Sequence, residues 1–558
     1  MRTRIVPLAM AAGFAMALDC SGPPVLAQGS AALSGTVTSA NEGAMEGVLV
    51  SAKKAGSTMT ITVVTDEKGN YSFPAGKLDA GQYAISIRAI GYDLDGAKSV
   101  AVTAGKATNA DLKLVKTKNL ARQMSNGEWI ASIPGTNQEK MSLLNCVSCH
   151  NVERIVKSSY DKEGFKSTIL PRMASYANQS TPLHVQKRIA TRLLEERGDA
   201  LAAARDKQAE FLSSINLSQH ESWEYPLKAN PRPKGRGTKV IMTEYDLPRP
   251  TIEPHDVVVG ADGNAYYSNF GEQTFGYIDP KTGAHHDFPV PELKKGWPTG
   301  MLGLRPDKDG NMWLGMMYQG AIAKFDVKDK KFTTWSMPAE MQKDQTQVNM
   351  VRAEHSDVDG KVWSQNNGFA AIHRLDLKTG HIESLEPFKA AGVGETHNIY
   401  DVIPDSKNNA WFTDIAAEYI GKVDKDTMKV TLFQMPKKPA GPRRGMMDAQ
   451  DRIWFGEYRG NRIGMFDTKT EKFQEWDMPT PWSNPYDVVI DKNQEAWTGS
   501  MINDRVVRLD TKTGQSVEYL LPKSTNIRRV FVDNSTSPVT FWVGSNHGAS
   551  IIKLEPQD

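Results

Sequence analysis

A chain of 558 residues, 39% hydrophobic and 24% charged, exceeds what one hydrophobic core can organise and has the composition of a soluble protein of several domains. Lysine plus arginine number 67 against 65 aspartate plus glutamate, a formal net charge of +2. That near-balance excludes any global electrostatic argument for nucleic acid or an anionic membrane as partner.

At the N-terminus, Arg2 and Arg4 precede an apolar run from Ile5 to Leu18, and Val25-Leu26-Ala27 supplies small residues for cleavage. Residues 1–27 therefore read as an export signal. The run is too short to span a bilayer, so the expectation is cleavage near Ala27, a periplasmic or secreted protein, and no membrane span. A lipid anchor on Cys20 is the rival reading, and Asp19 directly before it suits that processing poorly. Cleavage leaves Cys146 and Cys149 as the only cysteines.

Within residues 30–115, stretches such as "SGTVTSA", "GVLVSAKKA" and "GQYAISIRAIGY" alternate apolar and polar positions between Gly, Asp and Asn turns. Short, evenly punctuated strands of this kind predict a β-sandwich. In Thr65-Asp66, Gly69-Asn70-Tyr71, Gly81-Gln82-Tyr83 and Gly91-Tyr92 the segment resembles the carboxypeptidase regulatory-like domain. It carries no acid, base or metal cluster, so a spacer or docking role is expected.

Residues 118–218 change to helical periodicity, as in "PLHVQKRIATRLLEER", and predict a small all-helical domain. It holds Cys146-x-x-Cys149-His150. A zinc site needs a second ligand pair that the sequence lacks. A thioredoxin-like pair belongs in a βαβ unit, which is absent from the surroundings. The third chemistry is covalent haem attachment, with two thioethers and an adjacent histidine on the iron. On this motif the segment resembles a small c-type cytochrome, which implies haem c held by Cys146 and Cys149, His150 as proximal iron ligand, and Met173 as distal candidate beside His184 and Met141. Residues 219–238 then combine Pro, Gly and basic residues and read as a solvated linker.

From residue 239 to 558 the chain repeats. "FGYIDPKTG", "IHRLDLKTG" and "VVRLDTKTG" belong to one line of seven copies, and Tyr266, Trp313, Trp363, Trp411, Trp454, Trp497 and Trp542 form a second. Copies spaced roughly 45 residues apart, each with four strand patterns, predict a seven-bladed β-propeller. The last copy lacks its fourth strand, and "VIMTEYDLP" at 240–248 is positioned to supply it and close the ring. The fold class is thus multidomain and mainly β: sandwich, helical domain, propeller.

Aligned on the aromatics, the repeats place His255, Leu302, Arg352, Tyr400, Arg443, Tyr486 and Arg528 in one inner ring. Asn269, Met316, Asn366, Asp414, Glu457, Ser500 and Ser545 form a second. His255, Arg352, Tyr400, Asp414, Arg443, Glu457, Tyr486 and Arg528 are the candidate ligand-binding residues, a basic mouth for a polar or anionic small molecule. Ion pairing that merely holds blades together is the alternative. In "DSKNNAWFTD" and "DAQDRIWFGE", followed by "IGKVD" and "IGMFD", the region resembles the streptogramin lyase family. That resemblance implies Mg2+, a histidine base in the first ring and an acidic partner in the second ring of the same blade. His255 takes the base position in "IEPHD" but meets Asn269, and Glu457 meets Arg443. The lyase pair is incomplete, because Asn is no anionic ligand and Arg no base.

The primary expectation is an exported c-type cytochrome that passes electrons to a periplasmic redox partner, its propeller a binding platform. The alternatives are a Mg2+-dependent carbon–oxygen lyase with His255 as catalytic base, a haem-coupled oxidoreductase with substrate on the propeller, and a haem-bearing scaffold.

Overall fold

In the propeller, most repeats are built around a turn that holds its own core residue. Asp307, Asp405, Asp448 and Asp491 each accept a backbone N–H from the residue two further on. Each also accepts the indole Nε1–H of Trp313, Trp411, Trp454 or Trp497 at 2.9–3.1 Å. The same carboxylate thereby closes the turn and satisfies the polar edge of a buried tryptophan. The computed structural model describes residues 31–148, 151–171, 198–216, 226–394 and 396–558. The export signal with Cys20, and Cys149, His150, Met173 and His184, lie outside the described residues.

Six four-stranded antiparallel sheets run in chain order from Pro254–Val259 to Ser516–Leu520. The seventh blade comprises Ile527–Asp533, Thr540–Ser545 and Ser550–Pro556, with Val240–Asp246 as its outer strand. That strand pairs antiparallel with the chain's end, from Val240 opposite Pro556 to Asp246 opposite Ser550.

The outer strand of a propeller blade is normally an edge with unpaired backbone groups. Here Val240–Asp246 has a partner on its other side as well. Met242 to Tyr245 pair with Thr62 to Met59 of the N-terminal sandwich, which makes one eight-stranded sheet from the closing blade and half of the sandwich. Strand alternation divides the burial: Ile241 joins the sandwich core with Val50, Tyr71 and Phe73, while Val240 and Met242 join the blade core with Trp497 and Phe541. Lys77 reinforces the seam at 2.6 Å from Glu555. The sandwich is therefore welded to the propeller, a closer union than a spacer requires.

Helices are few among the described residues and they establish no cytochrome fold. Asn126–Ser132 and Asn137–Met141 begin in capping boxes at Ser125 and Thr136, and the longer helix Gly198–Ser214 adds Ala209, Phe211 and Leu212 to their buried cluster. Their apolar residues share a single cluster with the propeller: Trp129, Leu143, Cys146 and Val147 pack with Tyr458, Tyr486, Met501 and Ile502. The described helical residues thus form a roof on the propeller. The basic stretch after it is equally fixed. Arg232 pairs with Glu42 at 2.5 Å, Pro231 accepts from Arg505 at 2.6 Å, and Asn230 donates to Glu128 at 2.7 Å, so the expected solvated linker is a strap across all three modules. No helix among the described residues is long and apolar enough to cross a membrane.

Candidate functional site: the roofed mouth of the propeller

Strand register decides which side chains share a level at the channel mouth. The innermost strands begin opposite Asn269, Met316, Asn366, Asp414, Glu457, Ser500 and Ser545, the second ring expected from the sequence. One residue further along those strands come His255, Leu302, Asn349, Tyr400, Arg443, Tyr486 and Arg528. Arg352 does not belong to this ring. The third blade carries a longer connection with a short helix, Ser356–Asp359, so counting back from its tryptophan stops three residues short and Asn349 holds the position.

The second ring mostly ties loops. Asn269 Oδ1 accepts the backbone N–H groups of Glu253, Gly271 and Glu272. Asn366 accepts from Gln347, and Ser500 from Asn503. Glu457 does not face Arg443; it holds Arg462 at 2.6 Å. Burial pushes its carboxyl up to about 8, with Glu475 nearby and Arg462 opposing.

The first ring converges. His255, 1% exposed, places Nδ1 2.7 Å from Asp256 and Nε2 3.4 Å from the Tyr486 hydroxyl. Tyr486 and Tyr400 share a 2.6 Å hydrogen bond, and Arg443 donates to Tyr400 at 2.9 Å. The Arg443 guanidinium lies 4.5, 4.4 and 4.0 Å from the ring centres of Tyr400, Tyr458 and Tyr486, a desolvated cation held by three aromatic faces. Burial lowers His255 to about 4, despite Asp256, while Arg444 holds Asp256 far below the usual carboxylate range against its own burial. At neutral pH the imidazole is therefore neutral beside an ionised carboxylate: Nδ1 carries the proton and Nε2 offers its lone pair to Tyr486. Burial would raise Tyr400, but Arg443, the Tyr486 bond and Arg528 together bring it below an ordinary phenol.

Beneath this ring the channel is plugged by buried contacts between arginine and aspartate side chains. Arg444 is bidentate to Asp256 at 2.8 Å, Arg352 meets Asp401 at 2.5 Å, and Arg529 meets Asp487 at 3.1 Å. Burial, with Asp401 and Asp256 beside it, pushes Asp487 up to about 8. Folding therefore raises this pKa. The stability it contributes is complete below the unfolded value of about 3.9 and is lost as pH rises through about 8. Urea titrations should show stability falling between about pH 6.5 and 8, less steeply in Asp487→Asn; an unchanged slope in that variant would assign the proton elsewhere.

Sequence reasoning missed one pair. His397 Nδ1 lies 2.7 Å from Asp414 and its ring stacks on Phe388 at 3.5 Å, so one blade does hold both a histidine and an acid. His397 precedes the inner strand Ile399–Pro404, outside the ring alignment; only its place ahead of Tyr400 in "THNIY" could have pointed to it.

The donor sets test the two implied cofactors differently. Among the described residues no three His, Cys, Asp or Glu side chains gather as a metal site. Asn269 spends its oxygen on backbone N–H groups, while Glu457 is held by Arg462 through one oxygen and keeps Oε1 without a hydrogen bond, so these two positions by themselves do not make up the magnesium set that the lyase resemblance implies. Of the haem motif, Cys146 alone lies among the described residues, buried in the short helix Ser142–Ser148. The propeller grips that helix, with Tyr458 donating to Leu144 O at 3.3 Å and Asn526 to Val147 O at 3.2 Å. Met141 packs at the edge of the same cluster.

Comparison with known proteins bears on the propeller and the sandwich and gives no support for a cytochrome domain. Residues 237–509 and 400–557 match the virginiamycin B lyase family, together more than half of the chain, and residues 32–115 match the carboxypeptidase regulatory-like domain. No curated protein matches the chain. Among solved structures, selenomethionine-substituted virginiamycin B lyase from Staphylococcus aureus is 21% identical, with a TM-score of 0.48, covering 56% of this chain and 99% of that one. A catalytically inactive variant of the Staphylococcus aureus enzyme with quinupristin is 20% identical, with a TM-score of 0.49, covering 56% and 99%. A streptogramin B lyase is 21% identical, with a TM-score of 0.49, covering 58% and 99%.

Proposed function

Because the chain belongs to the virginiamycin B lyase family, we propose that its roofed mouth is an acid–base site for carbon–oxygen bond elimination on a polar or anionic substrate. The observation that carries this reading is the continuous hydrogen-bonded line Arg443–Tyr400–Tyr486–His255–Asp256. Tyr400 is the half-buried outer member. A proton arriving at its oxygen shifts the bonds inward, through Tyr486, to His255 Nε2, where Asp256 stabilises the imidazolium. As the carbon–oxygen bond breaks and a carbon–carbon double bond forms, the leaving carboxylate acquires a charge that Arg443 and Arg528 are placed to receive. The reading uses no magnesium, in keeping with the donor set.

Quinupristin, present with the Staphylococcus aureus variant, is the first substrate to try. Ring-opened product should form without any electron acceptor and in the presence of chelator, and Tyr486→Phe should slow it by about 10²-fold, since the relay loses its central hydroxyl.

One observation favours a second reading, a haem-coupled oxidoreductase in an exported setting. Cys146 lies in the same buried cluster as Tyr458 and Tyr486, so a group attached there would adjoin the relay. When bound through Cys146 and Cys149 with His150, a c-type haem supplies a one-electron acceptor; Met173 is the distal candidate, and a periplasmic redox partner would discharge it. In that reading His255 and its relay would hold the proton released by the substrate, and a two-electron oxidation would require the partner to discharge the haem twice. Product that forms only in haem-loaded protein with an added oxidant selects this reading over elimination.

A further inference from the structure

The innermost strands end, at the side of the propeller away from the roof, in a cavity of about 240 Å³. Arg305, Arg352 and Arg529 line it, each no more than 5% exposed. Ile403, Met446, Val489 and Phe531 make its apolar wall, and Glu354 is the carboxylate that lines it.

These arginines are unequally satisfied. Arg352 and Arg529 reach Asp401 and Asp487 in the channel. Arg305 has only Glu354 at 3.5 Å and the carbonyl of Gly445 at 3.4 Å, and that glutamate also serves Arg352 at 3.1 Å. Arg305 Nη1 is buried without a hydrogen-bond partner. A guanidinium taken out of water loses several kcal/mol of hydration, roughly, unless an anion compensates it. Arg305 shares its one carboxylate, Glu354, with Arg352, so its compensation is partial.

We propose that this cavity binds a short-chain organic carboxylate, with its carboxyl on Arg305 and its hydrocarbon part against Ile403, Met446, Val489 and Phe531. One under-compensated guanidinium calls for one negative charge, in the planar geometry that carboxylate offers to Arg. The apolar wall favours a ligand with a tail over a fully hydrated inorganic ion. The volume, below the roughly 300 Å³ at which drug-sized sites begin, excludes a nucleotide or peptide. Arg529 reaches Asp256 at 3.6 Å, but Arg305, which takes the carboxyl, pairs with Glu354 and the Gly445 carbonyl and not with the relay, so the site stands whether or not the mouth is a lyase.

Isothermal titration of the full chain with butyrate, and in parallel with inorganic phosphate, tests it. Saturable 1:1 binding of butyrate is expected, weakened about tenfold or more by Arg305→Gln through loss of the charge-assisted bonds. Met446→Trp, which fills the apolar wall and leaves every arginine in place, should abolish it and keeps the test open if Arg305→Gln does not fold. His255→Gln should bind butyrate as wild type does. The proposal is overturned by absence of saturable butyrate heat, by binding of phosphate alone, or by wild-type affinity in both cavity variants.

Discussion

Replacing His255 by glutamine is expected to lower turnover at the mouth by about 10²–10⁴-fold, the usual worth of a positioned general base, while leaving the propeller folded. Glutamine keeps a polar group near Asp256 and Tyr486 but cannot accept the relayed proton. Burial holds His255 at about 4, so the wild-type rate should stay level through neutral pH and fall only as the medium approaches that value. A conventional exposed histidine would already lose activity near its ordinary value of about 6.5. Stability should carry the same signature. A histidine whose folded pKa is depressed resists protonation that the unfolded chain accepts, so the fold weakens as pH falls from about 6.5 to about 4, and His255→Gln removes that part of the slope. Full activity in the variant, or a wild-type profile that breaks near 6.5, would show that the relay ends elsewhere.

Asp256→Asn should cost about 3–5 kcal/mol of stability, because it leaves Arg444 buried with no anion to face. The two are 0% and 1% exposed at the side chain and joined by two 2.8 Å bonds. Asp256 also orients His255 and accepts from Leu304 N at 2.9 Å, so a single oxygen-to-nitrogen change reaches three partners. Guanidinium denaturation should show a lower midpoint with an unchanged slope. The double change Asp256→Leu with Arg444→Met should cost less than Asp256→Asn alone, since it removes both charges together. A loss under about 1 kcal/mol in Asp256→Asn would mean that the pair is solvated, contrary to its burial.

Much of the propeller was legible because its information is local. An aspartate placed six residues before a tryptophan writes a turn and a core position into one short stretch, and the stretch recurs. The ring at the mouth was legible to the extent that repeats kept their spacing: His255, Tyr400, Arg443, Tyr486 and Arg528 meet there, and Tyr400, Arg443, Tyr486 and His255 touch in sequence. Arg352 was misplaced because an inserted turn changes register without changing the pattern on either side. His397 was missed because it lies in a loop, where no strand periodicity marks which side chain turns inward.

From sequence alone came the modules, their order, the closing role of the strand ahead of the first repeat and the Cys146-x-x-Cys149-His150 motif, all of them properties of short windows or their recurrence. Only the tertiary structure decided that the sandwich continues the closing blade through Met242 to Tyr245, that the helical segment roofs the mouth with Cys146 in one cluster with the tyrosines, and that Arg305 lines a cavity where it shares its one carboxylate with Arg352. Each of those depends on residues far apart in the chain becoming neighbours. The cost of leaving a buried charge or backbone group unpaired is set by what surrounds it in space, and a linear pattern carries no record of that surrounding.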